Sequence, residues 1–155
     1  MNFSAKQDIE APIAHVFAAV SDFDGFTRQA LRRGADVTRL DALEGPCAGM
    51  AWKAIFSFRG KERTMRIELL DVDVPNSLTA KSSTKGLEIV LVLQLVAMSK
   101  ERTRMSIDLE LVPQTLAARL LVQSLKLARG NVSKRLKKRL GAFAQTTEES
   151  YRSLG

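Results

Sequence analysis

Arg102-Thr103-Arg104-Met105-Ser106-Ile107-Asp108-Leu109-Glu110-Leu111-Val112 puts Thr103, Met105, Ile107, Leu109 and Leu111 on one side of an extended chain and charged or small polar residues on the other. Side chains of a strand point alternately to its two faces, so this period of two marks a strand with one face buried. The same period reaches back through about eighty residues to Gly34, the sign of a meander of antiparallel strands rather than of βαβ units. It divides into strands over Asp36–Asp41, Met50–Arg59, Glu62–Val74, Ser77–Thr84, Leu87–Ser99 and Arg102–Val112. Arg59-Gly60-Lys61, Val74-Pro75-Asn76, Lys85-Gly86 and Lys100-Glu101 supply the turns, and Glu44–Gly49, with three Gly or Pro residues, is a loop.

On the N-terminal side, Phe3, Ala5 and Ile9 alternate with polar residues from Asn2 to Glu10, one more strand. Ala11-Pro12 then places a proline at the start of a helix, where its missing N–H costs nothing. Ile13, Val16, Phe17 and Val20 recur at helical spacing, and a second short helix carries Phe26, Ala30 and Leu31. On the C-terminal side the period reverts to that of a helix from Gln114, with Leu121, Leu125, Ala128, Val132, Leu136, Leu140 and Phe143 on one stripe. This predicts about 35 residues of helix, with Gly130 as the place for a bend. The expected architecture is an α+β domain spanning residues 1–155, a curved antiparallel sheet of about seven strands wrapped around a long helix.

Composition excludes several function classes. At 45% hydrophobic and 26% charged residues, the chain is neither disordered nor membrane-embedded by composition. The longest apolar run, Leu87–Met98, is interrupted by Glu88 and Gln94 and is too short for a spanning helix. With no signal-peptide pattern at the N-terminus, the expected location is the cytoplasm. Cys47 and His15 are the only residues of their types, so neither a disulfide nor a Cys/His metal site is expected. Residues 1–113 carry 15 basic and 15 acidic residues, whereas residues 114–155 carry 9 and 2, the whole of the net charge of +7.

The order of elements, strand, two short helices, six strands and a long helix, resembles the helix-grip fold of the START-related, birch-pollen-allergen-like superfamily (SRPBCC), which includes polyketide cyclases and lipid-transfer proteins. Ile9-Glu10-Ala11-Pro12 followed by Val16-Phe17-Ala18-Ala19-Val20-Ser21-Asp22-Phe23 is similar to the opening of many such chains, and Gly49-Met50-Ala51-Trp52 to a strand entry. The resemblance covers the full length and is structural rather than catalytic. It implies a cavity holding a lipid, quinone, polyketide or other hydrophobic molecule between sheet and helix.

Alternation defines one apolar sheet face, which can close as a solid core or leave a pocket. Trp52, Phe56, Phe58, Met65, Leu91 and Met105 are the expected lining, closed by Leu121, Leu125 and Val132 of the long helix. Gln7, Ser82, Thr84 and Thr103 are the inward polar groups. Asp22/Asp24, Asp71/Asp73 and Asp108/Glu110 belong to polar outward patterns, and Cys47 beside Pro46 is a spectator. No phosphate-binding glycine loop, nucleophile elbow or zinc-protease motif is present. No catalytic residue and no cofactor is therefore expected, and binding of a small hydrophobic ligand leads over a cyclase- or dehydratase-like enzyme. Lys134, Arg135, Lys137, Lys138 and Arg139 form a separate basic surface, with Arg119, Lys126 and Arg129 before it. Three roles fit it: a solvated outer face, an anionic membrane, or, less well because no aromatic residues interleave the cations, a nucleic acid.

Overall fold

The computed structural model describes residues 1–154. Strand β1 (Asn2–Ile9) turns Phe3, Ala5 and Ile9 inward and Ser4, Lys6 and Asp8 away from the core. Pro12 ends extension and caps α1 (Ile13–Val20), which buries Val16, Phe17 and Val20. Asp22 starts α2 (Phe23–Arg32) by accepting the Gly25 N–H at 3.1 Å, a side-chain cap for a donor the helix cannot satisfy itself. None of the α2 side chains is fully buried.

The strands follow as β2 (Asp36–Arg39), β3 (Ala51–Phe58), β4 (Lys61–Asp73), β5 (Ser77–Thr84), β6 (Leu87–Ser99) and β7 (Arg102–Pro113). They form one antiparallel sheet in the order β1-β7-β6-β5-β4-β3-β2. From β2 to β7 each strand pairs with the next, while β1 pairs with β7 at the opposite edge from β2. The connection between β1 and β2 must therefore travel the width of the sheet, and α1 and α2 are that connection. Arg59 and Gly60, with φ of 53° and 74°, form the two-residue turn after the Phe58 and Lys61 pair, the left-handed geometry that matches strand twist in a tight hairpin. Breaks in register at Leu69/Asp71 and Ala97/Ser99 bend β4 and β6.

The C-terminal segment is two helices, α3 (Leu116–Leu127) and α4 (Arg129–Arg152). The backbone leaves helical values at Ala128 (φ −100°, ψ 18°), two residues before the expected bend, and Gly130 lies inside α4. Thr115 caps α3 by accepting the Ala118 N–H at 3.1 Å, and Gln114 donates its N–H to the Gly86 carbonyl at 2.6 Å. Gly86 (φ +74°) has no room for a side chain, since a Cβ there would come within 2.4 Å of the Thr115 side chain.

The break divides the core. Ala118 and Val122 of α3 join Phe3, Leu87 and Leu111 at one end of the sheet. Leu140 and Ala144 of α4 join Ile9, Val16, Phe17, Trp52, Leu93 and Met105 in the larger cluster. Thr103, inward by alternation and fully buried, donates its hydroxyl to the Ala11 carbonyl at 2.8 Å and so ties β7 to the chain entering α1. Thr103→Val keeps the shape but removes this donor from a buried carbonyl. Its expected cost is about 1–3 kcal/mol of unfolding free energy, measurable by urea denaturation.

Candidate functional site

The inward sheet face and the helices line a cavity of about 540 Å³ that opens to solvent. Trp52, Ala54 and Phe56 of β3 face it, followed across the sheet by Ile67 and Leu69, Leu78 and Ala80, Leu91 and Leu93, and Met105 and Ile107. Each strand contributes alternate residues, as the period of two requires. The opposite wall comes from Val20 of α1, Phe23, Phe26, Thr27 and Ala30 of α2, and Arg139, Leu140 and Phe143 of α4. Phe56, Ile67 and Leu91 point inward yet remain half-buried. Small residues at Ala54, Ala80 and Ala30 leave space where a packed core would hold bulk.

Among the described residues, Thr27 and Arg139 are the only polar ones on this wall. Arg63, the cross-strand partner of Phe56, is not on this wall, and its Nε is buried with no hydrogen-bond partner among the described residues. Arg139 also borders a second, more polar groove of about 760 Å³ between α1, α2 and α4, lined in part by His15, Gln29, Arg33 and Thr146.

Of the residues expected at the lining, Trp52, Phe56, Leu91 and Met105 stand on the cavity wall. The others lie elsewhere. Phe58 ends β3 at the tight turn, 46% exposed beneath the Arg59 guanidinium. Met65 pairs with Ala54 but is not on the wall. Leu121, Leu125 and Val132 pack in the Phe3–Leu87–Leu111 cluster, which takes up α3 and the first turn of α4. The helix residues that reach the cavity come later, at Arg139, Leu140 and Phe143. Absent from the sequence-based lining is the α2 stripe Phe23, Phe26, Thr27 and Ala30, whose spacing of three and four was its signal. Among the basic residues, Lys134, Arg135, Lys137 and Lys138 are exposed and Arg139 borders the cavity.

Other candidates have structural partners. His15 stacks against Tyr151 at 5.4 Å, and its Nε2 lies 3.3 Å from the Thr147 carbonyl. Cys47 donates its thiol to the Glu44 carbonyl at 3.3 Å. The described residues contain no group of three or more His, Cys, Asp or Glu that could hold a metal ion.

One rim of the cavity is held by charge. Asp41 accepts from Arg39 Nε and Nη2 at 2.7 and 2.8 Å, from the Ala51 N–H at 2.7 Å and from the Leu43 N–H at 2.9 Å. The Arg39 guanidinium in turn lies 5.4 Å from the Trp52 ring centre, and Phe23 meets that ring from α2 at 5.0 Å. The hydrogen bonds from Arg39, assisted by the two backbone N–H groups, hold the Asp41 carboxyl well below the usual carboxylate range against the opposing effect of desolvation. A depressed folded-state pKa stabilises the fold above the unfolded value of about 4, and that contribution is lost as pH falls toward the folded value. Asp41→Asn is therefore expected to lower Tm at neutral pH, and the difference from the parent should close as pH falls below about 4, followed by thermal melts across pH.

Comparison with known proteins bears on this site. Residues 1–148 match the family model described as polyketide cyclase/dehydrase and lipid transport. A search of curated protein sequences returned no match. Among solved structures, an aromatase/cyclase from a Streptomyces species is similar with a TM-score of 0.71 at 14% identity, over 100% of this chain and 98% of that one. A Thermus thermophilus protein aligns with a TM-score of 0.63 at 21% identity, over 94% and 98% of the two chains. A START superfamily protein from Mycobacterium smegmatis aligns with a TM-score of 0.58 at 11% identity, over 88% and 97%. At these identities the likeness is one of fold.

Proposed function

This chain belongs to the polyketide cyclase/dehydrase and lipid transport family, and from that premise we propose that it binds one small hydrophobic molecule between sheet and helices, as a carrier or sensor. The observation that carries the proposal is the cavity of about 540 Å³ with a nearly all-apolar wall. That volume falls within the range of about 300–1,000 Å³ typical of small-molecule sites. Burial of the ligand's apolar surface drives affinity, at about 25 cal/mol per Å² before the costs of association. Arg139 on the wall favours a ligand with a hydrogen-bond acceptor at one end of an apolar body.

A cyclase- or dehydratase-like enzyme would need a general acid or base within hydrogen-bond reach of its substrate. Thr27 and Arg139 are ill suited to that role, since a guanidinium keeps its proton at any ordinary pH. Binding without chemistry is therefore the better-supported function.

Trp52 is the sole tryptophan, so its fluorescence reports on the cavity wall directly. Titration with anilinonaphthalene sulfonate is expected to change that emission saturably. Ala80→Phe, which fills space from the centre of the sheet wall, should abolish the change while Tm holds or rises. With the dye's own emission as readout, Trp52→Ala should weaken binding by about tenfold or more. A folded Trp52→Ala protein with unaltered affinity would refute this placement of the ligand. Native mass spectrometry of protein purified from its own host is expected to show a stoichiometric hydrophobic molecule.

A further inference from the structure

Helix α3 is apolar on two opposite sides. Its inward side carries Ala118 and Val122, both buried, with Leu121 and Leu125 half-buried beside them. Leu116, Leu120 and Leu127 are 73%, 64% and 93% exposed. At 100° per residue these three leucines fall within about 40° of one another, opposite the buried side. Single exposed leucines are ordinary, but three aligned on one 12-residue helix make a stripe that costs solubility unless something covers it.

Charge identifies the cover. From residue 114 to residue 147 the chain carries eight Lys or Arg and no Asp or Glu. Arg119 and Lys126 flank the leucines on α3, and Lys134, Arg135 and Lys138 project from the outward side of α4 beyond Ala128. The ion pairs among the described residues are Arg39–Asp41, Arg102–Glu10 and Arg104–Asp8, none of them on α3 or α4. A second copy of the chain would satisfy the leucines but would set these cations against themselves. A nucleic acid would satisfy the cations and leave the leucines in water. The headgroup region of an anionic bilayer accepts both, apolar side chains at the acyl boundary and cations at the phosphates.

We propose that the outward faces of α3 and α4 dock this protein peripherally on an anionic lipid surface, with Leu116, Leu120 and Leu127 inserted at the interface. No helix among the described residues is long and apolar enough to cross a membrane, so the contact is one of lying on the surface. The proposal stands apart from the cavity and does not depend on what the cavity holds.

Flotation with vesicles of phosphatidylcholine, with and without phosphatidylglycerol, tests it on the full chain. The protein is expected to float with the phosphatidylglycerol vesicles only. Added salt should release it, since the screening length shrinks from about 10 Å at 0.1 M to about 3 Å at 1 M. The variant combining Leu116→Ser, Leu120→Ser and Leu127→Ser, and separately the variant combining Lys134→Gln, Arg135→Gln and Lys138→Gln, should each partition about tenfold less or weaker. These side chains are exposed, and an unchanged far-UV circular dichroism spectrum with normal Trp52 emission would verify the fold of both variants. Failure of the parent to float, equal flotation without phosphatidylglycerol, or full flotation of the leucine variant would overturn the proposal. So would a parent dimer that the leucine substitutions dissociate, because the stripe would then be a contact between copies.

Discussion

Length mismatch between strands and helices is the constraint on which this structure turns. A strand of 13 residues, such as β4 or β6, extends about 43 Å, whereas α1 and α2, at 8 and 10 residues, reach only about 12 and 15 Å. These two helices must also carry the chain from the edge at β1 to the edge at β2, so they cross the inner face instead of running along it. α4 alone is long enough to follow the sheet, and it lies against β1 and α1. More inward apolar surface is made than the helices can cover. α1 and α4 sink into the sheet with Val16, Phe17, Leu140 and Ala144, and the uncovered remainder is the cavity.

The cavity's two rims are built differently. On the β2–β3 side, Asp41 gathers four donors around one carboxylate, and Arg39, so fixed, lies over Trp52. A buried aromatic wall is thus held in place by an electrostatic device on the surface. On the α2 side there is no equivalent. Phe23 and Phe26 reach inward, but the helix buries none of its residues completely, and its cap at Asp22 is its main local anchor. Carboxylates elsewhere are engaged with β7, where Asp8 meets Arg104 and Glu10 meets Arg102. The cations of α3 and α4 have no such partners among the described residues.

Periodicity makes the sheet legible. The strands from Ser77 to Ser99 have the residue limits that alternation implies, and Asn2–Ile9 and Arg102–Pro113 differ by a single residue. Parity likewise places Trp52, Phe56, Leu91 and Met105 on the cavity side, because a residue's face in a strand follows from counting. Counting fails where an element ends or bends. Phe58 has inward parity but sits at the turn, where no second layer exists to bury it. Leu121, Leu125 and Val132 belong to a continuous helical stripe in sequence, yet the stripe is divided at Ala128 by a backbone change that no proline or glycine at that position announces. Arg63 has inward parity and a buried Nε, although its charge invites an outward assignment, yet it too lies off the cavity wall. The space itself could not be read, since side chains that line a cavity and side chains that fill a core are the same residues.

The shallow seating of α2 separates two properties that a single rigid pocket would couple. Detaching this helix gives up no fully buried side chain, so it is expected to cost less than unfolding the sheet. α2 also carries Phe23, Phe26, Thr27 and Ala30 of the cavity wall, so loosening it would open the wall on that side while the strand residues from Trp52 to Ile107 stay in place. A change at the Asp22 cap, which is not on that wall, would therefore alter how readily the wall opens, whereas changes at Phe23 or Phe26 alter the wall itself. Access to the space and the shape of the space can thus be altered at separate residues of one short helix and its cap.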